Sequence, residues 1–233
     1  MPHRLLSRAA SRATGRIGWL RGALGALVAI VLAGWITRLA IGAESGALPW
    51  LVAPLGASAV LVFVLPASPL AQPWPVFGGD LLSALVGVGM GLIVPEPALA
   101  AGLALASAIA VMSLLRCLHP PGGACALLGV LSAHAGWDQV ILALACNLAV
   151  MLAVAWAWNN LTGHAWPHRL VAPAQPQLPG ALRTYEAADL DAVLEEWDEV
   201  LDVSRDDLDA LFRAVERRVQ RRQDTGGSTS GTR

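Results

Sequence analysis

The sequence predicts an all-α fold: a polytopic membrane helical bundle followed by a soluble C-terminal helical hairpin. Three observations predict it. Between Gly22 and Pro167 the formal charges are Arg38, Glu44, Asp80, Glu96, Arg116 and Asp138, too few for a water-soluble domain of that length. Apolar runs near spanning length recur through the same stretch. Beyond it, charged residues return in force, with apolar residues at helical spacing.

The net charge of −1 hides a basic N-terminus, a nearly uncharged middle and a highly charged tail. The charge split argues neither for nor against nucleic acid, and no nucleic-acid partner is expected. All 16 basic residues are arginine, a compositional bias without a functional account. Cys117, Cys125 and Cys146 match no zinc or redox spacing and read as free thiols between helices. No metal or cofactor is expected.

Residues 1–18 carry Arg4, Arg8, Arg12 and Arg16 at a spacing of four, one side of a helix. They read as a positive-inside anchor that holds the N-terminus in the cytoplasm. The transmembrane domain is expected over residues 19–160. Its first span is residues 20–41, with Trp19 at the headgroup level. Arg38 near its far end either snorkels to the interface or points into the bundle.

The second apolar run, 50–66, is short and interrupted by Pro54 and Gly56. A loop with Pro66, Pro69, Pro73 and Pro75 follows, and Trp74 suits an interface. The third run, 76–94, carries glycines that allow close helix packing. Asp80 at its start either caps the helix or contacts a proton or substrate. Pro95-Glu96-Pro97 makes a turn, and 98–115 is an alanine-rich span.

Then comes Arg116-Cys117-Leu118-His119-Pro120-Pro121-Gly122-Gly123, a polar interruption. Two prolines stop the arriving helix and two glycines free the backbone before a short apolar piece, 124–131. Freed backbone groups survive in a membrane only against protein or a water-filled cavity. Broken helices of this kind build binding sites in many transporters. The last run, 139–158, contains Asn147.

The segment Pro54-Leu55-Gly56-Ala57-Ser58-Ala59-Val60-Leu61 resembles Pro121-Gly122-Gly123-Ala124-Cys125-Ala126-Leu127-Leu128. The offset, 67 residues (54 to 121), also places Asp80 over Asn147. Each half reads as a span, a broken short helix and a span. Either four full spans accompany two broken short helices, or the chain crosses six times as two inverted repeats. Both versions put the termini on one side. Only the six-crossing version makes Arg116 cytoplasmic, as the positive-inside rule prefers.

These residues resemble the HPP family of integral membrane proteins, whose motif stands here as His119-Pro120-Pro121. The resemblance extends to 53–59, 66–74 and 78–87, and covers about residues 19–160. It implies four membrane spans and a transporter-like role. Relatives in plant plastids and cyanobacteria are associated with nitrite transport. Position 80 is often His in them, where this chain has Asp. Some relatives continue from a similar acidic tail into paired CBS domains, for which the residues up to Arg233 leave no room.

Residues 161–185 read as a Pro-rich linker and 186–223 as an amphipathic helical pair. Leu190, Val193, Leu194, Trp197, Val200 and Leu201 share one face, as do Leu208, Leu211, Phe212, Val215 and Val219. Ser204 and Asp207 resemble a capping box, with Val203 and Leu208 as a staple. The hairpin packs on itself, pairs with a second copy, or meets the membrane through its terminal arginines. Residues 224–233 are expected to be disordered.

The expected function is transport or channelling of a small solute. A small anion such as nitrite is implied by the resemblance, in an inner cell membrane with both termini cytoplasmic. The glycines at the broken helices would offer N–H groups to an anion. The candidate substrate-binding residues are His119, Pro120, Pro121, Gly122, Gly123, Pro54, Gly56, Ser58, Arg38, Arg116, Asp80 and Asn147. His119 either couples a proton or is a structural cap bonded to backbone. The alternative function is a membrane scaffold or sensor that signals through the acidic tail. An enzyme is not expected, since no carboxylate near His119 in sequence orients it toward Cys117 or Cys125.

Overall fold

The computed structural model describes residues 2–41, 50–168, 186–197 and 203–227. The chain divides into two units, Met1–His168 and Arg169–Arg233. Among the described residues every regular element is a helix.

The first unit holds α1 (Pro2–Ile41), α2 (Pro54–Val64), α3 (Pro73–Ile93), α4 (Pro97–Leu114), α5 (Gly122–Ser132) and α6 (Trp137–Leu161). Proline opens α2, α3 and α4. At a first helical position it lacks only an N–H that would have no partner anyway. Glu96 caps α4 by accepting from the N–H groups of Ala98 and Leu99. Four segments are long and apolar enough to cross a membrane: Gly18–Ile41, Pro73–Ile93, Pro97–Leu114 and Trp137–Leu161. At eleven residues each, α2 and α5 reach only ~16 Å, about half of a hydrocarbon core.

The two short helices nevertheless continue an alternating path. Trp50, ahead of α2, lies against Gly34 toward the far end of α1. Phe63, at the end of α2, meets Arg21 near the start of the membrane-spanning part of α1. At that same end Trp74 Nε1 donates to the Leu115 carbonyl, 3.1 Å, and Trp166 Nε1 donates to the Ala71 carbonyl, 3.2 Å. At the opposite end His134, just past α5, bonds the Gly91 carbonyl near the end of α3. α2 and α5 therefore run in alternating directions with the four long helices, so that the described helices lead between the two ends six times. The sequence left four and six crossings open; these pairings follow the six-pass version.

The tightest contact is between α3 and α5, which run parallel. A Cβ on Gly87 would overlap the Ala126 carbonyl, and one on Gly129 would overlap the Ala84 carbonyl. The two backbones touch, as small residues permit between membrane helices. A buried core formed by Val52, Leu55, Phe63, Leu144, Leu148 and Met151 joins α2 to α6.

Two boundaries differ from the sequence reading, the start of α3 and the start of the linker. Asp80 does not cap a helix: α3 begins at Pro73, with Gln72 at its N-cap, so Asp80 lies in the helix interior. Two further prolines, Pro73 and Pro75, were readable as loop but belong to the first turn of α3. The linker also begins later. Trp166 is buried, and the backbone N–H of His168 donates to Gln72 Oε1.

The second unit contains α7 (Ala187–Trp197) and α8 (Arg205–Gly227). Leu190 is buried, and Arg205 pairs with Asp191 at 2.7 Å. These hydrogen bonds hold the exposed Asp191 carboxyl below its ordinary range. The Asp207 N–H donates to Ser204 Oγ at 3.1 Å, while the Ser204 hydroxyl donates to Asp207 Oδ2. That is half of a capping box. Val203 stays exposed. Val200, Leu201 and residues 228–233 lie outside the described residues, as does the linker from 169 to 185.

Candidate functional site

The segment between α4 and α5 is shaped by its own backbone. Arg116 takes a left-handed conformation, φ 52°. The Cys117 N–H returns to the Met112 carbonyl at 2.8 Å and the Arg116 N–H to Ser113 at 3.2 Å. This is a Schellman ending with arginine where glycine is usual. Pro120 and Pro121 then turn the chain inward, and α5 starts at Gly122. A Cβ on Gly122 would sit 2.9 Å from both Ser83 Oγ and the Gly79 carbonyl. The turn thus lies flush on α3, and His119 is carried into the interior.

His119, Asp80 and Ser58 are all fully buried. His119 Nδ1 lies 2.7 Å from the Leu70 carbonyl and must donate to it, since a carbonyl only accepts. His119 Nε2 lies 3.0 Å from Ser58 Oγ. Ser58 Oγ is 2.8 Å from Asp80 Oδ2. His119 Nε2 and Asp80 Oδ2 are 3.8 Å apart. The Cys125 thiol lies beside the carboxyl. Among the described residues Asp80 Oδ1 and Ser83 Oγ, both buried, have no hydrogen-bond partner. Ionisable groups at such depth are expensive and usually functional.

The order matters. In a serine-hydrolase triad the histidine stands between serine and acid. Here serine stands between acid and histidine, and a backbone carbonyl orients the ring. That order suits proton movement along a chain of hydrogen bonds.

The glycine N–H groups expected to await an anion are engaged. Gly122 donates to the His119 carbonyl, Gly123 to Pro120, and Gly56 to Ala53. Both short helices are closed by their own preceding turns. Pro54, Pro121 and Gly122 are buried, Gly123 is half-buried, and Gly56 and Pro120 are exposed. Arg38 and Arg116 are exposed and stand outside the cluster.

Asn147 forms a separate node. Its Nδ2 donates to Thr37 Oγ1 at 2.7 Å and to the Trp50 carbonyl at 3.1 Å, and its Oδ1 accepts from the Val52 N–H at 3.1 Å. Sequence reasoning missed a third cluster, at the end of α2. Arg21 Nη1 donates to Asn159 Oδ1 and Thr162 Oγ1, and Nη2 to the Phe63 carbonyl at 2.7 Å. Asn159 Nδ2 donates to the Val62 carbonyl. A cation here supplies the carbonyls that a helix C-terminus leaves unpaired. The available signal was a lone arginine just inside the first apolar run.

The transmembrane region of the HPP proteins matches residues 12–167. The chain belongs to the HPP family. Two transmembrane proteins of Dictyostelium discoideum are similar to it. One is 35% identical over 149 residues, which is 61% of this chain and 46% of the relative. The other is 35% identical over 117 residues, 47% of this chain and 41% of the relative. The chain therefore spans less than half the length of these curated relatives. No solved structure matches. In this HPP protein the histidine of the family motif bonds to Ser58 and to Leu70, so the motif ties α2 and the turn before α3 to the start of α5.

Proposed function

We propose that this HPP protein is a transporter of a small solute, most simply a small anion such as nitrite, with Asp80, Ser58 and His119 at its working site. The observation that carries the proposal is the buried ionisable chain Asp80–Ser58–His119, set where both interrupted helices meet α3. Nitrite itself comes from the family resemblance. With the glycine N–H groups engaged, anion recognition falls to the His119 and Ser58 side chains. The 67-residue offset supports two inverted repeats, and the N-terminal arginines support a cell-membrane topology with cytoplasmic termini. No enzymatic step belongs to this reading.

The test is uptake of nitrite into proteoliposomes, with nitrate, formate and chloride as competitors, with and without a pH gradient. Saturable uptake that His119→Ala abolishes is expected. Absence of flux for every anion, in protein that remains monodisperse, would overturn the transporter reading. A sensor reading is favoured instead by the exposed apolar face of α8, Leu211, Val215 and Val219, which suits a second copy or another protein. Deleting residues 183–233 separates the two: a transporter keeps its flux.

A further inference from the structure

We infer that the Asp80–Ser58–His119 chain is a one-proton latch: with its proton it ties α2, α3 and the turn before α5 together, and without it one tie must break. The inference rests on the site proposed above but concerns its regulation.

Hydrogen counting carries it. His119 Nδ1–H is committed to the Leu70 carbonyl. Two links remain, Nε2 to Ser58 Oγ and Ser58 Oγ to Asp80 Oδ2. Ser58 owns one hydrogen. Both links form if Asp80 is protonated: the acid donates to Ser58, and Ser58 donates to the neutral ring. Both also form in the tautomer with an imidazolium and a carboxylate: the ring donates to Ser58, and Ser58 donates to the carboxylate. The two forms hold the same number of protons and differ only in where they sit. Remove one proton, and one hydrogen is left for two links. Either α2 loses α3, or α2 loses His119.

The surroundings supply no hydrogen to the two Ser58 links; the Cys125 thiol bonds the Asp80 carboxyl and leaves those links as they are. Around Gly79 and Gly122, next to the cluster, lie Ser83 of α3, the Cys117 carbonyl and the Met112 sulfur of α4, and the Cys125 thiol of α5 lies beside the Asp80 carboxyl. None of these is a charged side chain. An unpaired buried acceptor is costly, so the open form is driven toward water. A proton is therefore the ligand that closes the site.

The reporters are native. Cys125 is a free, buried thiol beside the Asp80 carboxyl, Cys117 is a second buried thiol two residues before His119, and Cys146 is a half-buried reference. Full-length protein in lipid nanodiscs would be alkylated with a neutral maleimide over a pH series and read by mass spectrometry. Rates are taken relative to Cys146 and to the Asp80→Asn variant. An asparagine amide donates to Ser58 as the protonated acid does, so this variant is closed at every pH. As pH rises, Cys117 and Cys125 should become at least about tenfold more reactive in the wild type than in Asp80→Asn. Equal profiles in the two proteins, or full protection of the wild type throughout, would overturn the latch. Because the assay needs no flux, failure of nitrite uptake sinks the transporter reading and leaves this result standing.

Discussion

Two buried polar nodes hold the ends of the two short helices, and they are built differently. Around Asn147 an amide uses both donors and its acceptor on Thr37, Trp50 and Val52. None of these four groups titrates. Around Asp80 an acid, a hydroxyl and an imidazole share hydrogens, and one carboxyl oxygen is left over. The first node has one arrangement. The second has several, separated by the position or number of protons. Similar placement with different side chains separates a fixed joint from an adjustable one.

The comparison breaks most completely if the α3–α5 contact is opened, because that contact presents Asp80 to His119. Gly87→Ala and Gly129→Ala push a methyl into backbone. Each should cost ~3 kcal/mol or more, seen as loss of a monodisperse peak and of cooperative unfolding in detergent. Gly56→Ala is the matched control, since its added methyl meets open space; it should leave unfolding within ~0.5 kcal/mol.

Exchanging the chemistry of the nodes is the next largest test. Asn147→Leu strands the Val52 N–H and the Thr37 hydroxyl, and should lower stability by ~3 kcal/mol at any pH, since each stranded group costs ~1–3 kcal/mol. Asp80→Asn keeps a donor toward Ser58 and should lower it by less than ~1 kcal/mol, while thermal unfolding loses its dependence on pH near the node. If both substitutions cost the same, the distinction between joint types is wrong.

Smaller effects are expected away from both nodes. Arg21→Gln removes a charge-assisted bond to the end of α2 and should cost ~2 kcal/mol by thermal shift. Arg116→Gly relieves a left-handed arginine and should raise stability by ~1 kcal/mol without altering uptake, since the side chain is outside the site.

Much of this was readable in the chain. The charge gap from 22 to 167 and the Pro-Gly interruptions located the helices, because dehydration and backbone chemistry act locally. His119, Asp80 and Ser58 were each visible as polar residues in apolar runs. Their union was not, because it depends on α3 and α5 touching through glycines distant in sequence. Arg38 and Arg116 looked equally eligible, yet they face outward; charge alone does not say which side of a helix meets the bundle. The role of the Gly122 and Gly123 amides was misjudged because a proline turn can satisfy the same N–H groups that a ligand would.

The buried Trp166 sets where this membrane unit ends. Its indole is inserted against the Ala71 carbonyl, and the chain around it is stitched to Asn160 and Gln72. A truncation that stops at the last residue of α6 would discard this plug and leave the turn before α3, from which Leu70 reaches His119, without its outer wall. Anyone trimming the protein for expression, or grafting its tail onto another membrane core, should therefore cut after His168 rather than after Leu161.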